Sequence, residues 1–89
     1  MRSIRTCREL GAAIRQSRKD QGLTQAALAA KARVGRQWLS ELETGKQTAE
    51  VGRVLWILDA LDLNITLRAA VDSDPDNFDL NAYIDTWAD

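Results

Sequence analysis

Few of the 89 residues have side chains suited to covalent chemistry. The chain holds no histidine and one cysteine, Cys7. It shows no glycine-rich phosphate loop and no cluster with metal-ligand spacing. Its densest acidic run, Asp72-Ser73-Asp74-Pro75-Asp76-Asn77, has the turn-rich composition of a solvated linker rather than of paired acid–base carboxylates. No catalytic constellation is found, so a non-enzyme without cofactor is expected. What remains is chemistry by hydrogen bond and charge. Residues 1–46 carry ten Lys/Arg against four Asp/Glu, and residues 47–89 carry two against nine, so a net charge of -1 conceals two halves of opposite sign. A basic half attracts phosphate and an acidic half repels it, and the two halves are expected to meet different partners.

The elements that position these groups follow from caps and periodicity. Thr6-Cys7-Arg8-Glu9 has the form of a capping box, and Leu10, Ala13, Ile14 and Ser17 share one stripe, predicting a helix over 7–20 that Gly22 ends. Thr24 caps a second helix over 25–32 with Leu28, Ala29 and Ala32 inward. After the turn Arg33-Val34-Gly35, a third runs over 36–43 with Leu39 and Leu42 inward, and Gly45 stops it. Thr48 is expected to cap a fourth from about Ala49 to Leu61, with Val51, Val54, Leu55, Leu58 and Leu61 inward. Trp56 lies off that stripe, either on a dimer or partner surface or packed beside the following segment.

Past Asp62 the period becomes two. Ile65, Leu67, Ala69 and Val71 alternate with Thr66, Arg68 and Ala70, as in a half-buried strand. A lone strand cannot pair its backbone, so residues 64–71 are expected to pair with the same strand of a second molecule. In the tail, Leu80, Tyr83, Ile84 and Trp87 recur at helical spacing, with Asp79 as a cap. The stripe is too short to hold a helix alone and reads as a segment that folds on a partner. The lone cysteine, the lack of a signal-peptide core and the lack of an apolar run of ~20 residues imply a cytoplasmic protein that does not enter membranes.

Two short helices joined by a tight turn suggest a helix-turn-helix. Leu23-Thr24-Gln25-Ala26-Ala27-Leu28-Ala29 through Trp38-Leu39-Ser40-Glu41-Leu42-Glu43-Thr44-Gly45-Lys46 resembles the phage-repressor-like (XRE-type) helix-turn-helix family over roughly residues 9–61. One departure is Arg33, where many relatives place glycine. The resemblance implies that the second helix abuts the DNA backbone and the third enters the major groove. Gln25 would then meet a phosphate, as would Lys46. Arg36 and Gln37 would open the recognition helix, with the bidentate donors that suit guanine and adenine. Ser40 and Glu41, one turn on, would reach base edges, although an acid among phosphates must be neutralised or paired. Trp38 is open between a core or dimer residue and an apolar contact to thymine methyls. Arg18 and Glu43 match the family's buried ion pair.

Leu58-Asp59-Ala60-Leu61-Asp62-Leu63-Asn64-Ile65-Thr66-Leu67, with the acidic linker and terminal tryptophan, looks like the HipB-type antitoxins. That likeness implies a homodimer paired through Ile65, Leu67 and Ala69, which represses its own operon and sequesters a HipA-like serine/threonine kinase toxin. Phe78, Leu80, Tyr83, Ile84 and Trp87 would be the toxin contacts, with Trp87 foremost. A regulator of phage-repressor type without a toxin is the alternative. The expected architecture is mainly α: a four- to five-helix DNA-binding domain over 6–63, a dimerisation strand over 64–71, and a flexible acidic tail over 72–89.

Overall fold

A computed structural model describes residues 3–69, in which four helices follow one another: α1 (Cys7–Asp20), α2 (Gln25–Ala32), α3 (Arg36–Glu43) and α4 (Val51–Ala60). The capping box at the start of α1 is formed. The Thr6 hydroxyl accepts from the Glu9 amide at 3.0 Å, and the Glu9 carboxylate accepts from the amides of Thr6 at 2.9 Å and Arg5 at 2.7 Å. Gly22, at φ +71°, follows α1 in the left-handed region that glycine enters without penalty. Thr24 caps α2 through its hydroxyl, which accepts from the Ala27 amide at 3.0 Å.

One core unites the helices. Ile14 of α1, Leu28 of α2, Leu39 and Leu42 of α3, and Ile57 and Leu61 at the end of α4 are its largest fully buried side chains. Ala29, Ala32, Val54, Leu58 and Ala60 fill the gaps between them. α2 packs on α4 and α3, while α1 packs on α3. Gln21 ties the ends of α1 and α4 together, its amide donating to the Leu61 carbonyl at 2.8 Å.

Three expectations need correction. α4 starts at Val51, not near Ala49, and its N-cap is Glu50 without a side-chain hydrogen bond, so Thr48 does not cap it. Its buried stripe is Val54, Ile57, Leu58 and Leu61, whereas Val51 and Leu55 face outward. Around Val54, Leu58 and Leu61 the 100° step sets Ile57 and Leu55 on opposite flanks of the stripe, and the helix packs on its Ile57 flank. Ala13 of α1 is likewise exposed, because Gly11, Ile14 and Arg18 form the inner line.

The turn between α2 and α3 keeps the backbone that glycine would adopt. Arg33 stands at φ 60°, ψ 43°, and the Val34 amide donates back to the Ala29 carbonyl at 2.9 Å. That is the Schellman closure of a helix with an arginine at the left-handed position, a conformation costing a non-glycine residue about 1 kcal/mol. The departure from the family's usual residue therefore leaves the turn geometry intact.

Residues 63–69 follow without strand or helix, and Leu63, Ile65 and Leu67 project outward from the single chain. No strand occurs among the described residues. A strand needs a ladder, and no described residue supplies one to this segment. Val71, the linker, and the tail positions Phe78, Leu80, Tyr83, Ile84 and Trp87 lie outside the described residues.

Candidate nucleic-acid interface

The recognition face is defined by what α3 buries. Leu39, Leu42 and Glu43 point inward, so the 100° step turns Arg36, Gln37, Ser40 and Glu41 to the opposite side. Arg36, Gln37 and Glu41 are exposed and Ser40 is half-buried. With its side chains an α-helix is roughly 10–12 Å across, which fits the width of a major groove. The N-cap of α3 is Gly35, which offers no side-chain hydrogen bond. First-turn N–H groups without a side-chain cap are suited to an anion such as a phosphate oxygen.

Behind this face lies a buried ionic lock. Arg18 of α1 meets Glu43 at the end of α3 through two parallel bonds, Nε to Oε2 at 2.7 Å and Nη2 to Oε1 at 3.1 Å. The remaining Arg18 nitrogen donates to the Leu23 carbonyl at 2.8 Å, so the guanidinium bridges α1, α3 and the loop before α2. Both residues are buried, and their polar atoms are satisfied. A bidentate pair in a water-poor site fixes orientation as well as distance. The lock therefore sets the angle at which α3 leaves the core.

Gln25 proves to be part of that lock. Its amide nitrogen donates to Glu43 Oε1 at 3.1 Å, and the side chain is half-buried. Only one of its N–H groups is engaged by Glu43. The residue thus joins the start of α2 to the end of α3 while keeping donor and acceptor capacity at the surface. Spacing alone did not reveal this link, since the partners lie eighteen residues apart.

Glu41 and Lys46 form a second, exposed pair. The Lys46 ammonium donates to Glu41 Oε1 at 3.0 Å. That hydrogen bond, with the attraction of the same charge, lowers the Glu41 pKa below the usual glutamate value; burial opposes the shift, and a hydrogen bond with Gln37 adds to it. Glu41 therefore stays ionised throughout the neutral range. The Lys46 backbone is held too, its amide donating to the Glu41 carbonyl at 3.1 Å. Gly45, at φ +103°, lets this turn close against α1, where an added Cβ would stand 3.1 Å from the Arg8 backbone. The acid expected among phosphates is thus paired, and its partner is the very lysine expected to meet a phosphate.

Trp38 belongs to the core side of α3. It is half-buried against the core, and Arg53 of α4 lies over its ring at 5.7 Å from the centroid, a cation–π contact. Trp56, by contrast, is 55% exposed and lines an open groove with Lys31, Arg33, Asp59 and Asp62. Arg33 also stands exposed at the turn beside α3, a cation whose place there no sequence motif marks.

This arrangement of a capped α2, a three-residue turn and an outward-facing α3 is the helix-turn-helix, and the family comparison agrees. The family model described as a helix-turn-helix domain matches residues 9–71, and the chain belongs to that family. A curated relative, the "uncharacterized HTH-type transcriptional regulator y4mF" of Sinorhizobium fredii, is 42% identical over 66 residues, which make up 74% of this chain and 87% of the relative. HipB in a structure of a HipA–HipB–O2–O3 complex superposes with a TM-score of 0.73 at 26% identity, covering 79% of this chain and 99% of that one. The biofilm master regulator SinR, solved in complex with DNA, superposes at 0.58 with 28% identity over 62% of this chain and 89% of that one. The protein is a DNA-binding transcriptional regulator of the XRE-type helix-turn-helix class. Among the described residues, no helix is long and apolar enough to cross a membrane.

Proposed function

We propose that this chain is an antitoxin and autorepressor: a homodimer that binds its own operator through α3 and neutralises a HipA-like serine/threonine kinase by binding it. The likeness to HipB carries this reading, because it takes in nearly the whole of that chain and extends beyond the recognition helix. Arg36 and Gln37 read base edges, Ser40 and Glu41 flank them, and Gln25 and Lys46 address the backbone. Two copies pair through Ile65, Leu67 and Ala69, which supply each other's missing ladder. Val51, Leu55 and Trp56 on the outer face of α4 extend the apolar surface available for pairing. Two-fold symmetry then sets two recognition helices on half-sites one or two helical turns apart.

Residues 72–89 hold the kinase, with Trp87 as the main anchor beside Phe78, Leu80, Tyr83 and Ile84. Removing residues 72–89 is expected to weaken binding of a kinase encoded beside this gene by roughly thirtyfold or more, the loss of an aromatic hot spot. Operator binding by the same truncated protein stays within twofold. Calorimetry with the kinase and fluorescence anisotropy with the operator duplex read the two effects separately. The likeness to SinR, a regulator solved with DNA, supports a second reading, a regulator with no toxin. A neighbouring kinase that neither binds the full chain nor is silenced by it would select that reading.

A further inference from the structure

We infer that Glu41 is a specificity-determining residue that holds Lys46 away from phosphate on duplexes that offer Glu41 no base contact. The inference rests on the reading of α3 and its flanks as the DNA-binding face. Lys46 follows α3 and is the nearest lysine after the recognition helix. Its ammonium is bound to Glu41 Oε1 at 3.0 Å, and its backbone amide is bound to the Glu41 carbonyl at 3.1 Å. The same residue therefore restrains both ends of Lys46. The Glu41 side chain is 47% exposed and that of Lys46 28%, so the pair sits at the surface that meets DNA rather than within the core.

An ion pair at this place has a consequence for binding that a lone lysine would not have. A free ammonium attracts any duplex equally and raises affinity without discrimination. Once paired with Glu41, it contributes little net charge. Non-specific affinity is thereby held down. On the correct site a base-edge donor such as cytosine N4 engages the Glu41 carboxylate and releases Lys46 to a phosphate, so affinity there is kept. The ratio between the two rises, and that ratio governs occupancy when non-specific sites are in vast excess.

The test uses full-length protein, a 30-base-pair duplex of random sequence and a duplex from the promoter upstream of its gene, across a salt series. Glu41→Gln keeps the length of the side chain and removes its charge. It is expected to bind random duplex roughly three- to tenfold more tightly near 0.1 M salt. Its slope of log K against log salt should steepen by about 0.9, one additional phosphate contact. The preference for promoter over random duplex should fall. In a Lys46→Gln background the same Glu41→Gln change should give well under half of that gain, since the cation it would release is gone. An unchanged slope and random-duplex affinity for Glu41→Gln, or a gain undiminished in the Lys46→Gln background, would overturn the assignment. If the unaltered protein binds neither duplex, the DNA-binding reading itself fails; binding with no response to Glu41→Gln defeats only this inference.

Discussion

Glu43→Ala is expected to destabilise the domain by about 3–5 kcal/mol, enough to leave much of it unfolded at 25 °C. The cost follows from what is left behind. Arg18 would keep one bond to the Leu23 carbonyl, while the Nε and Nη2 donors that meet Glu43 at 2.7 and 3.1 Å would face a void. A guanidinium removed from water and then deprived of its counter-charge costs far more than an exposed pair ever contributes. Gln25 would lose its acceptor as well. Removing both charges together should have the opposite effect. Arg18→Met combined with Glu43→Leu replaces both charges by apolar groups of similar length and is expected to recover most of the loss. Denaturant midpoints at constant m-value measure both variants. A loss below 1 kcal/mol for Glu43→Ala would show that the lock does not hold α3 against α1.

Gly11→Ala is expected to destabilise by about 2 kcal/mol, although alanine is the better helix former by about 1 kcal/mol. Gly11 sits on the inner line of α1, where a Cβ would overlap the Leu42 carbonyl oxygen and lie 2.9 Å from the Glu43 carbonyl carbon and oxygen. These are backbone atoms at the end of α3. No rotamer change can clear them, so the two helices must part and the Arg18–Glu43 geometry must loosen with them. Gly52→Ala in α4 provides the matched comparison, because nothing lies within 4 Å of its Cβ position. That change is expected to stabilise by about 0.5–1 kcal/mol through helix propensity. Thermal melts of the two variants should therefore move in opposite directions. Equal shifts of one sign would mean that α1 and α3 do not approach as closely as described.

Much of this fold was legible in the residues themselves. The bounds of α1, α2 and α3 follow from Thr6, Gly22, Thr24 and Gly35, whose cap and turn preferences act within a few residues. α4 was misplaced because Thr48 is a good cap that the chain does not use. Its true N-cap, Glu50, makes no side-chain hydrogen bond, so tertiary packing of Val54 and Ile57 decides the start. The outward positions Arg36, Gln37 and Glu41 were recoverable from the inward Leu39 and Leu42. Gln25's bond to Glu43 and the close approach at Gly11 were not, because each depends on contacts between elements far apart in sequence. Glycine within a helix reads as a mere propensity defect until its neighbours are known. The segment from Leu63 to Ala69 shows the remaining limit: it alternates with a period of two yet forms no strand in the single chain, since alternation alone supplies no ladder.

If α3 reads base edges, Arg36 is the residue whose loss should show it most plainly. Anisotropy titration of the promoter duplex with the unaltered protein and with Arg36→Ala, at matched salt, measures the claim directly. The expected result is a roughly 10- to 100-fold loss of promoter affinity for a variant that stays folded, the ~1–3 kcal/mol of one bidentate base contact. The preference over random duplex should shrink with it. A folded Arg36→Ala protein that binds the promoter as tightly and as selectively as the parent would contradict the account.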